Sequence, residues 1–165
     1  SPVVIGLALI LVYGTGGWFG ADLAAVGIQV IFSTPGIVMA VIFVSLPFVA
    51  REVIPVLQEI GDDAEKAAET LGASAWQTFR KIPLPAIRWG VSYGIVLTTA
   101  RALGEFGAVT VVSGNITGET QTLPLYVSQQ FELFNSVGAY SASLILAILA
   151  LGTLLAMNLM RRGED

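Results

Sequence analysis

Residues 65–85, EKAAETLGASAWQTFRKIPLP, form a polar segment between two strongly apolar parts of the chain. The residues 62–65, DDAE, match a capping box that begins a helix, and Gly72 is a natural helix end. The residues 74–77, SAWQ, match a second capping box, and the prolines at 83 and 85 end the helix that it begins. The segment therefore predicts two short helices set at an angle, in place of a plain loop.

The regions on either side of this segment are typical of membrane helices. The chain of 165 residues is 55% hydrophobic and 12% charged, whereas soluble domains carry about 25% charged residues. The ranges 1–21, 23–50 and 133–160 contain no charged side chain. Uncharged apolar runs of about 18 residues or more indicate helices that cross a bilayer. The composition therefore predicts an all-α, polytopic membrane bundle.

The apolar runs divide the chain into one partial transmembrane domain over residues 1–165. The run at 2–13 is shorter than the ~20 residues that a spanning helix needs, so we expect an N-terminally truncated domain. We expect a helix to start at Ser33 or Thr34, with a kink at Pro47, and an outer helix over 125–134. The expected spans are 2–13 (incomplete), 33–57, 87–112 and 136–160, joined by a cytoplasmic loop at 58–86 and an external loop at 113–135.

The placement of the basic residues predicts the orientation of these spans. No lysine or arginine lies in 1–50 or in 102–160. Because cytoplasmic loops carry the excess of Lys and Arg, the range 51–88 and the C-terminus at 161–165 are expected in the cytoplasm. The expected outer segments, 14–32 and 113–135, carry acids only, namely Asp22, Glu119 and Glu132.

Several kinds of enzyme are excluded by residues that the chain lacks. There is no cysteine and no histidine, which removes disulfides, the usual zinc sites and Ser-His or Cys-His catalysis. A P-loop needs Lys followed by Ser or Thr, but Lys66 precedes Ala67 and Lys81 precedes Ile82. We therefore expect that the chain is not an enzyme and that it has no cofactor, no metal site and no nucleic-acid partner. Any ATP hydrolysis is expected in another subunit.

The segment at 65–85 has two interpretations, a helix on the lipid surface or a helix that docks on a protein. Its first helix carries the acids Glu59, Asp62, Asp63, Glu65 and Glu69 against one Lys66. An acidic face suits an anionic inner leaflet poorly, so a protein partner is favoured, because short helices commonly dock into grooves.

The pattern Ala67-Ala68, Gly72 and Ile82-Pro83-Leu84-Pro85 resembles the EAA loop of bacterial ABC-importer permeases. The chain departs from that motif at Lys66, where the family has Glu, and the acid stands one place earlier. The resemblance implies a coupling helix that fits a cleft in an ATP-binding subunit. The residues that it implies for this contact are Glu65, Ala67, Ala68, Leu71, Gly72, Ala73, Trp76, Ile82, Leu84 and Pro85.

A second group of candidate residues lies in and after the third expected span. Charged residues inside spans are costly and often functional, and Arg101 and Glu105 are four apart, so one helix face allows them to pair. The pair is either structural or part of a gate. The loop from Ser113 to Leu125 is either a flexible outer loop or a set of hydroxyls, amides and N–H groups that binds an oxyanion. The expected pathway or gate residues are Arg101, Glu105, Ser113, Gly114, Asn115, Thr120 and Thr122.

The stretches ARALGEFGAVTVVSGN and GETQTLPL resemble the sulfate/thiosulfate permease family, most closely its W-type branch, and the molybdate permeases are similar. The resemblance covers nearly the whole chain. It implies an inner-membrane subunit that moves sulfate or thiosulfate by alternating access, with an ABC ATP-binding subunit, a second permease subunit (a related T-type chain), an external sulfate-binding protein and the lipid bilayer as partners. The alternatives are molybdate or tungstate import, an ion-coupled secondary transporter that uses Arg101 and Glu105, and a membrane scaffold.

Overall fold

The computed structural model describes residues 1–162. In this range the chain forms nine α-helices and no strand: α1 (Pro2–Tyr13), α2 (Gly20–Ala25), α3 (Thr34–Ile60), α4 (Asp63–Thr70), α5 (Ala75–Lys81), α6 (Pro83–Leu103), α7 (Gly107–Val112), α8 (Leu123–Glu132) and α9 (Ser136–Arg162). The all-α prediction is confirmed. The prediction for 161–165 falls partly on residues 163–165, which lie outside the described range.

Two of the described helices are long and apolar enough to cross a membrane. They are α3, in which an 18-residue stretch has a mean hydropathy of 2.2, and residues 136–156 of α9, in which such a stretch has a mean hydropathy of 2.0. Ser33 precedes α3 as predicted, but its hydroxyl donates to the carbonyls of Gln29 and Val30 and does not cap the helix. The helix continues through Pro47 and Pro55, and the kink at Pro47 stays a prediction.

The third expected span, 87–112, is not one continuous helix, since it is divided between α6 and α7. Helix α6 begins earlier, at Pro83, because a proline in the first turn loses no intrahelical hydrogen bond. It ends at Leu103, and the break at 104–106 separates it from α7. In this break Glu105 accepts the N–H of Ala108 at 3.1 Å. A side chain that bonds a nearby backbone N–H competes with continuation of the helix.

Two helix pairs meet at glycines that allow close approach. A Cβ at Gly6 of α1 would lie 2.9 Å from the carbonyl oxygen of Ala108 in α7. Where α3 and α6 pack together, a Cβ at Gly94 would already touch Glu52 at 3.5 Å. Small residues at such contacts allow apolar helices to pack within a membrane. The buried core lies where α1, α3 and α7 meet and consists of Leu9, Val30, Ile31, Ala40, Val44, Ala108 and Val112.

The structure also contains a short helix that the sequence did not indicate. Helix α2 lies inside the segment 14–32, which was expected to be an outer loop. Its six residues are too few to show a helical period.

Helix α8 was predicted at 125–134 and is found two residues earlier, because Thr122 takes the N-cap position and Pro124 fits the first turn. Helices α8 and α9 pack against each other, and α9 also packs on α6.

Candidate functional site

Residues 62–82, which we call the helical hairpin, consist of α4, a tight turn and α5. Gly72 has φ +81° and a Cβ there would meet open space, so the glycine serves the backbone conformation alone. The N–H of Gly72 donates to the carbonyl of Glu69 at 2.9 Å, and the N–H of Ala73 donates to Ala68 at 3.0 Å. These bonds satisfy carbonyls at the end of α4. The predicted helix end at Gly72 is confirmed.

One of the two predicted capping boxes is present. The N–H of Gln77 donates to Ser74 Oγ at 3.4 Å, and the N–H of Ser74 donates to Gln77 Oε1 at 3.0 Å. The other prediction, with Asp62 as the cap and Glu65 reaching back, is wrong. Asp62 has helical backbone angles, φ −102° and ψ −3°, and its carboxylate instead pairs with Lys66 Nζ at 3.4 Å. The acid thus stabilises α4 from its side and not from its end.

The hairpin exposes large apolar side chains next to its turn. Leu71 is 88% exposed and Trp76 is 67% exposed, and the Trp76 ring stacks on Phe79 with 5.8 Å between centroids. Thr78, on the same short helix, is buried, and α5 packs on α6. The hairpin is therefore held to the bundle by one side of α5, while its turn projects.

The ten predicted coupling residues lie on α4, the turn, α5 and the segment 82–85. Exposed are Ala67, Leu71, Gly72, Trp76, Leu84 and Pro85, whereas Glu65, Ala68, Ala73 and Ile82 are half-buried. Eight of the ten belong to the helical hairpin, and Leu84 and Pro85 belong to the first turn of α6. Contact with an ATPase stays a prediction.

The predicted pair of Arg101 and Glu105 is found at the break between α6 and α7. Arg101 Nη1 lies 3.9 Å from Glu105 Oε2, so the pairing is confirmed. The prediction that both lie on one helix face is wrong, because α6 ends at Leu103. Glu105 is buried, and its second oxygen accepts the N–H of Ala108. The guanidinium of Arg101 also lies over the ring of Phe48, 4.5 Å from its centroid.

The residues 113–122, which we call the outer loop, are tied to one another by hydrogen bonds. Ser113 and Thr120 are buried, and their hydroxyls accept the N–H groups of Asn115 and Ile116, each at 3.0 Å. Gln121 donates to the side chains of Asn115 and Gln129. Thr122 Oγ1 is buried and has no hydrogen-bond partner within residues 1–162. These bonds favour a fixed frame over a flexible loop, and anion binding by these groups stays a prediction.

The comparison with known proteins identifies the family. The family described as "binding-protein-dependent transport system inner membrane component" matches residues 1–162. The chain belongs to this family. Membership confirms the predicted fold, a helical transmembrane domain of the ABC permeases, and the predicted class of transport component.

Curated members of the family are similar to almost all of the chain. The sulfate transport system permease protein CysW of Synechococcus elongatus is 57% identical over 97% of this chain and 56% of its own length. CysW of Escherichia coli is 48% identical over 98% of the chain and 55% of its own length. A chloroplastic sulfate permease 2 of Chlamydomonas reinhardtii is 53% identical over 93% of the chain and 42% of its own length. The resemblance to W-type sulfate permeases is confirmed, and the chain spans about half the length of these relatives.

Sequence reasoning missed two contacts around these sites. Phe32 has φ +61°, donates its N–H to the carbonyl of Val112 at 2.8 Å, and covers Gly114, where a Cβ would lie 3.1 Å from the ring. The dipeptide Ser113-Gly114 indicates a turn, but nothing in the sequence pairs it with Phe32. The contact of Arg101 with Phe48 was missed for the same reason, since the two lie on different helices.

A mainly apolar cleft of about 590 Å³ lies between the end of α1, helix α2 and the segment 27–32. Of the residues discussed above, Gln29, Val30, Ile31 and Phe32 contribute to its wall. None of the predicted pathway residues lines this cleft, so the cleft does not support a transport route through them.

Proposed function

We propose that this chain is the membrane-spanning permease subunit of an ATP-driven importer that carries sulfate into the cell by alternating access. The identity to sulfate permeases over nearly the whole chain, 57% in the Synechococcus protein, carries this proposal. Its partners in the proposal are an ABC ATP-binding subunit, a second permease subunit of the related T-type and an external sulfate-binding protein. Thiosulfate is a second proposed substrate of the same route.

The helical hairpin is the proposed contact for the ATPase. Leu71 and Trp76 are largely exposed beside the Gly72 turn. Burial of a large apolar side chain stabilises by about 1.5–3 kcal/mol, so a partner that covers these two residues gains most from them. The distribution of Lys and Arg supports a cytoplasmic location for the hairpin, where ATP is present. ATP binding would then move the hairpin and open the spans outward.

The Arg101–Glu105 pair and the outer loop are the proposed gate and outer frame of the pathway. The pair lies at a break between α6, which packs mainly on α3, and α7, which packs mainly on α1 and also contacts α3. A break of this kind is where helices change their relative angle. The proposed frame residues are Ser113, Gly114, Asn115, Thr120 and Thr122.

The proposed docking is tested by adding a charge at the hairpin turn. Gly72→Asp is compared with Gly118→Asp, because both glycines have positive φ, +81° and +83°, and open space around a Cβ. In cells whose sulfate uptake depends on this permease, we expect Gly72→Asp to abolish uptake with normal membrane insertion, and Gly118→Asp to preserve it. Equal uptake by the two variants would overturn the docking proposal.

The substrate and the energy source are tested by uptake of labelled sulfate. We expect competition by thiosulfate and weak competition by molybdate or tungstate. Stronger competition by molybdate than by thiosulfate would indicate a molybdate permease. Uptake that persists without ATP and collapses with the proton gradient would show a secondary transporter. Absence of any anion uptake by an inserted, assembled complex would favour a scaffold.

A further inference from the structure

Arg101 is the single basic residue between Arg88 and Arg161. At a rise of about 1.5 Å per residue, Arg101 lies roughly 20 Å along α6 from Ile87, which is about two-thirds of a hydrocarbon core ~30 Å thick. A charge at this depth is costly when it faces lipid, so such residues face the bundle interior or a water-filled cavity. The sequence therefore places one positive charge, that of Arg101, deep within this expected span.

Among the described residues 1–162, the contacts of Arg101 hold its guanidinium without using its hydrogen-bond donors. Its distance to Glu105 is 3.9 Å, which is longer than the ~2.7–2.9 Å of a charge-assisted hydrogen bond. The ring of Phe48, 4.5 Å from the guanidinium carbon, supports the flat face of the group. The side chain remains 39% exposed. A planar fork with free N–H groups matches two oxygens of a tetrahedral oxyanion.

Glu105 differs from its partner because it is anchored. Its side chain is 5% exposed, and its Oε1 accepts the backbone N–H of Ala108 at 3.1 Å. The carboxylate therefore stays beside Arg101 whether or not an anion is present. It balances the positive charge when the site is empty, and it repels a bound dianion, so the anion is held weakly.

We propose that Arg101 contacts the sulfate dianion during its passage, and that Glu105 is a positioning residue that serves as the resting counter-ion of Arg101. The inference rests on the proposed function and deepens it, because it assigns a substrate contact within the membrane. The anion replaces Glu105 as the principal partner of the guanidinium, and no covalent bond changes.

The first test measures labelled sulfate transported per ATP hydrolysed, with the complete complex and its binding protein in lipid vesicles. Loss of a charge-assisted contact of the usual strength corresponds to roughly a tenfold effect or more. We expect Arg101→Gln to lower uptake by that factor while stimulated ATP hydrolysis stays within about twofold, and Arg101→Lys to give an intermediate ratio. Arg88→Gln, on the same helix and stacked on Trp89, is the matched control and should keep the ratio.

The second test removes the counter-ion without removing the helix cap. In Glu105→Gln the amide oxygen still accepts the N–H of Ala108, but the negative charge is gone. We expect the vesicle-embedded complex, without binding protein, to bind about tenfold more labelled sulfate than the unchanged complex. Adding Arg101→Gln to this variant should abolish the gain.

Two results would overturn the inference. One is an unchanged ratio of sulfate to ATP in Arg101→Gln. The other is a joint loss of uptake and hydrolysis in both Arg101 variants, which would make the side chain structural. A complex with unchanged sequence that takes up no sulfate would instead contradict the proposed function, so the two failures are distinguishable.

Discussion

The helical hairpin and the outer loop are both polar connections between helices, and both contain glycines at positive φ, Gly72 in one and Gly114 and Gly118 in the other. The hairpin leaves Leu71 and Trp76 largely exposed. The outer loop buries Ser113 and Thr120 and satisfies them internally.

This difference indicates that the hairpin is a surface for a partner, whereas the outer loop is a frame that needs no partner. Exposed large apolar side chains beside a rigid turn gain free energy when another protein covers them. Buried hydroxyls that already accept backbone N–H groups have little to gain from a ligand. Changes in the hairpin should therefore affect assembly and transport, whereas changes in the outer loop should affect stability.

The largest expected difference between the hairpin and the outer loop is the side of the membrane from which a labelling reagent reaches each of them. None of the 165 residues is cysteine. A single cysteine introduced at the exposed position Glu69 or Thr117 is therefore the one thiol in these residues that a reagent can label. We expect Thr117→Cys to react with an impermeant maleimide in intact cells, and Glu69→Cys to react after the cytoplasmic side is opened. Labelling of both positions from the same side would contradict the predicted orientation.

Truncation of the exposed apolar pair should give the next largest effect. We expect Leu71→Ser with Trp76→Ser to weaken ATPase binding by at least about 30-fold, because a single hot-spot truncation already costs at least ~2 kcal/mol and the two losses need not add. Co-purification of the ATPase with the permease measures the loss. Ile116→Ser, at a 42% exposed position of the outer loop, is the control, and a similar loss there would remove the contrast.

A β-carbon at Gly114 should destabilise more than one at Gly118. Both residues have positive φ, so alanine costs about 1–2 kcal/mol at either position. A Cβ at Gly114 also lies 3.1 Å from the Phe32 ring, whereas Gly118 faces open space. We expect Gly114→Ala to lower the free energy of unfolding in detergent by about 1 kcal/mol more than Gly118→Ala. Adding Phe32→Ala should erase this difference; if the difference persists, the ring is not its cause.

Loss of one buried hydroxyl should destabilise the outer loop by a comparable or smaller amount. Thr120→Val leaves the N–H of Ile116 without its acceptor, which costs about 1–3 kcal/mol when the group stays buried. Thr117 is exposed, and Thr117→Val should change the free energy of unfolding by less than about 0.5 kcal/mol. Equal effects of the two valines on thermal unfolding would show that the internal bonds of the loop are unimportant.

The smallest effects concern the two ends of the hairpin. Ser74→Ala removes a capping side chain, so we expect a loss of about 0.5–2 kcal/mol in the local stability of α5. Asp62→Ala removes an exposed ion pair and no cap, so we expect less than about 0.5 kcal/mol. Hydrogen exchange of the amides in α4 and α5 measures both losses. A larger effect of Asp62→Ala than of Ser74→Ala would support the predicted capping box at 62–65, which the structure lacks.

Local chemistry explains why part of the fold was predictable. The stop at Gly72, the box at Ser74 and Gln77 and the apolar helices at 34–60 and 136–162 each depend on residues close in sequence. The break after Leu103 was not predicted, because it depends on a carboxylate outside the helix that accepts the N–H of Ala108 in α7 and pairs with Arg101. A spacing of four residues indicates a pair but cannot show that the helix ends between its members.

The sequence by itself determined that the chain is a helical membrane protein, which of its connections carries basic residues, and that 65–85 contains two short helices, of which the second is capped. Composition, charge and local backbone preference are properties of the chain before it folds. The tertiary structure alone decided that Phe32 covers Gly114, that Phe48 supports Arg101, and that the hydroxyls of the outer loop are buried. Each of these depends on segments far apart in sequence, which meet only when the helices pack.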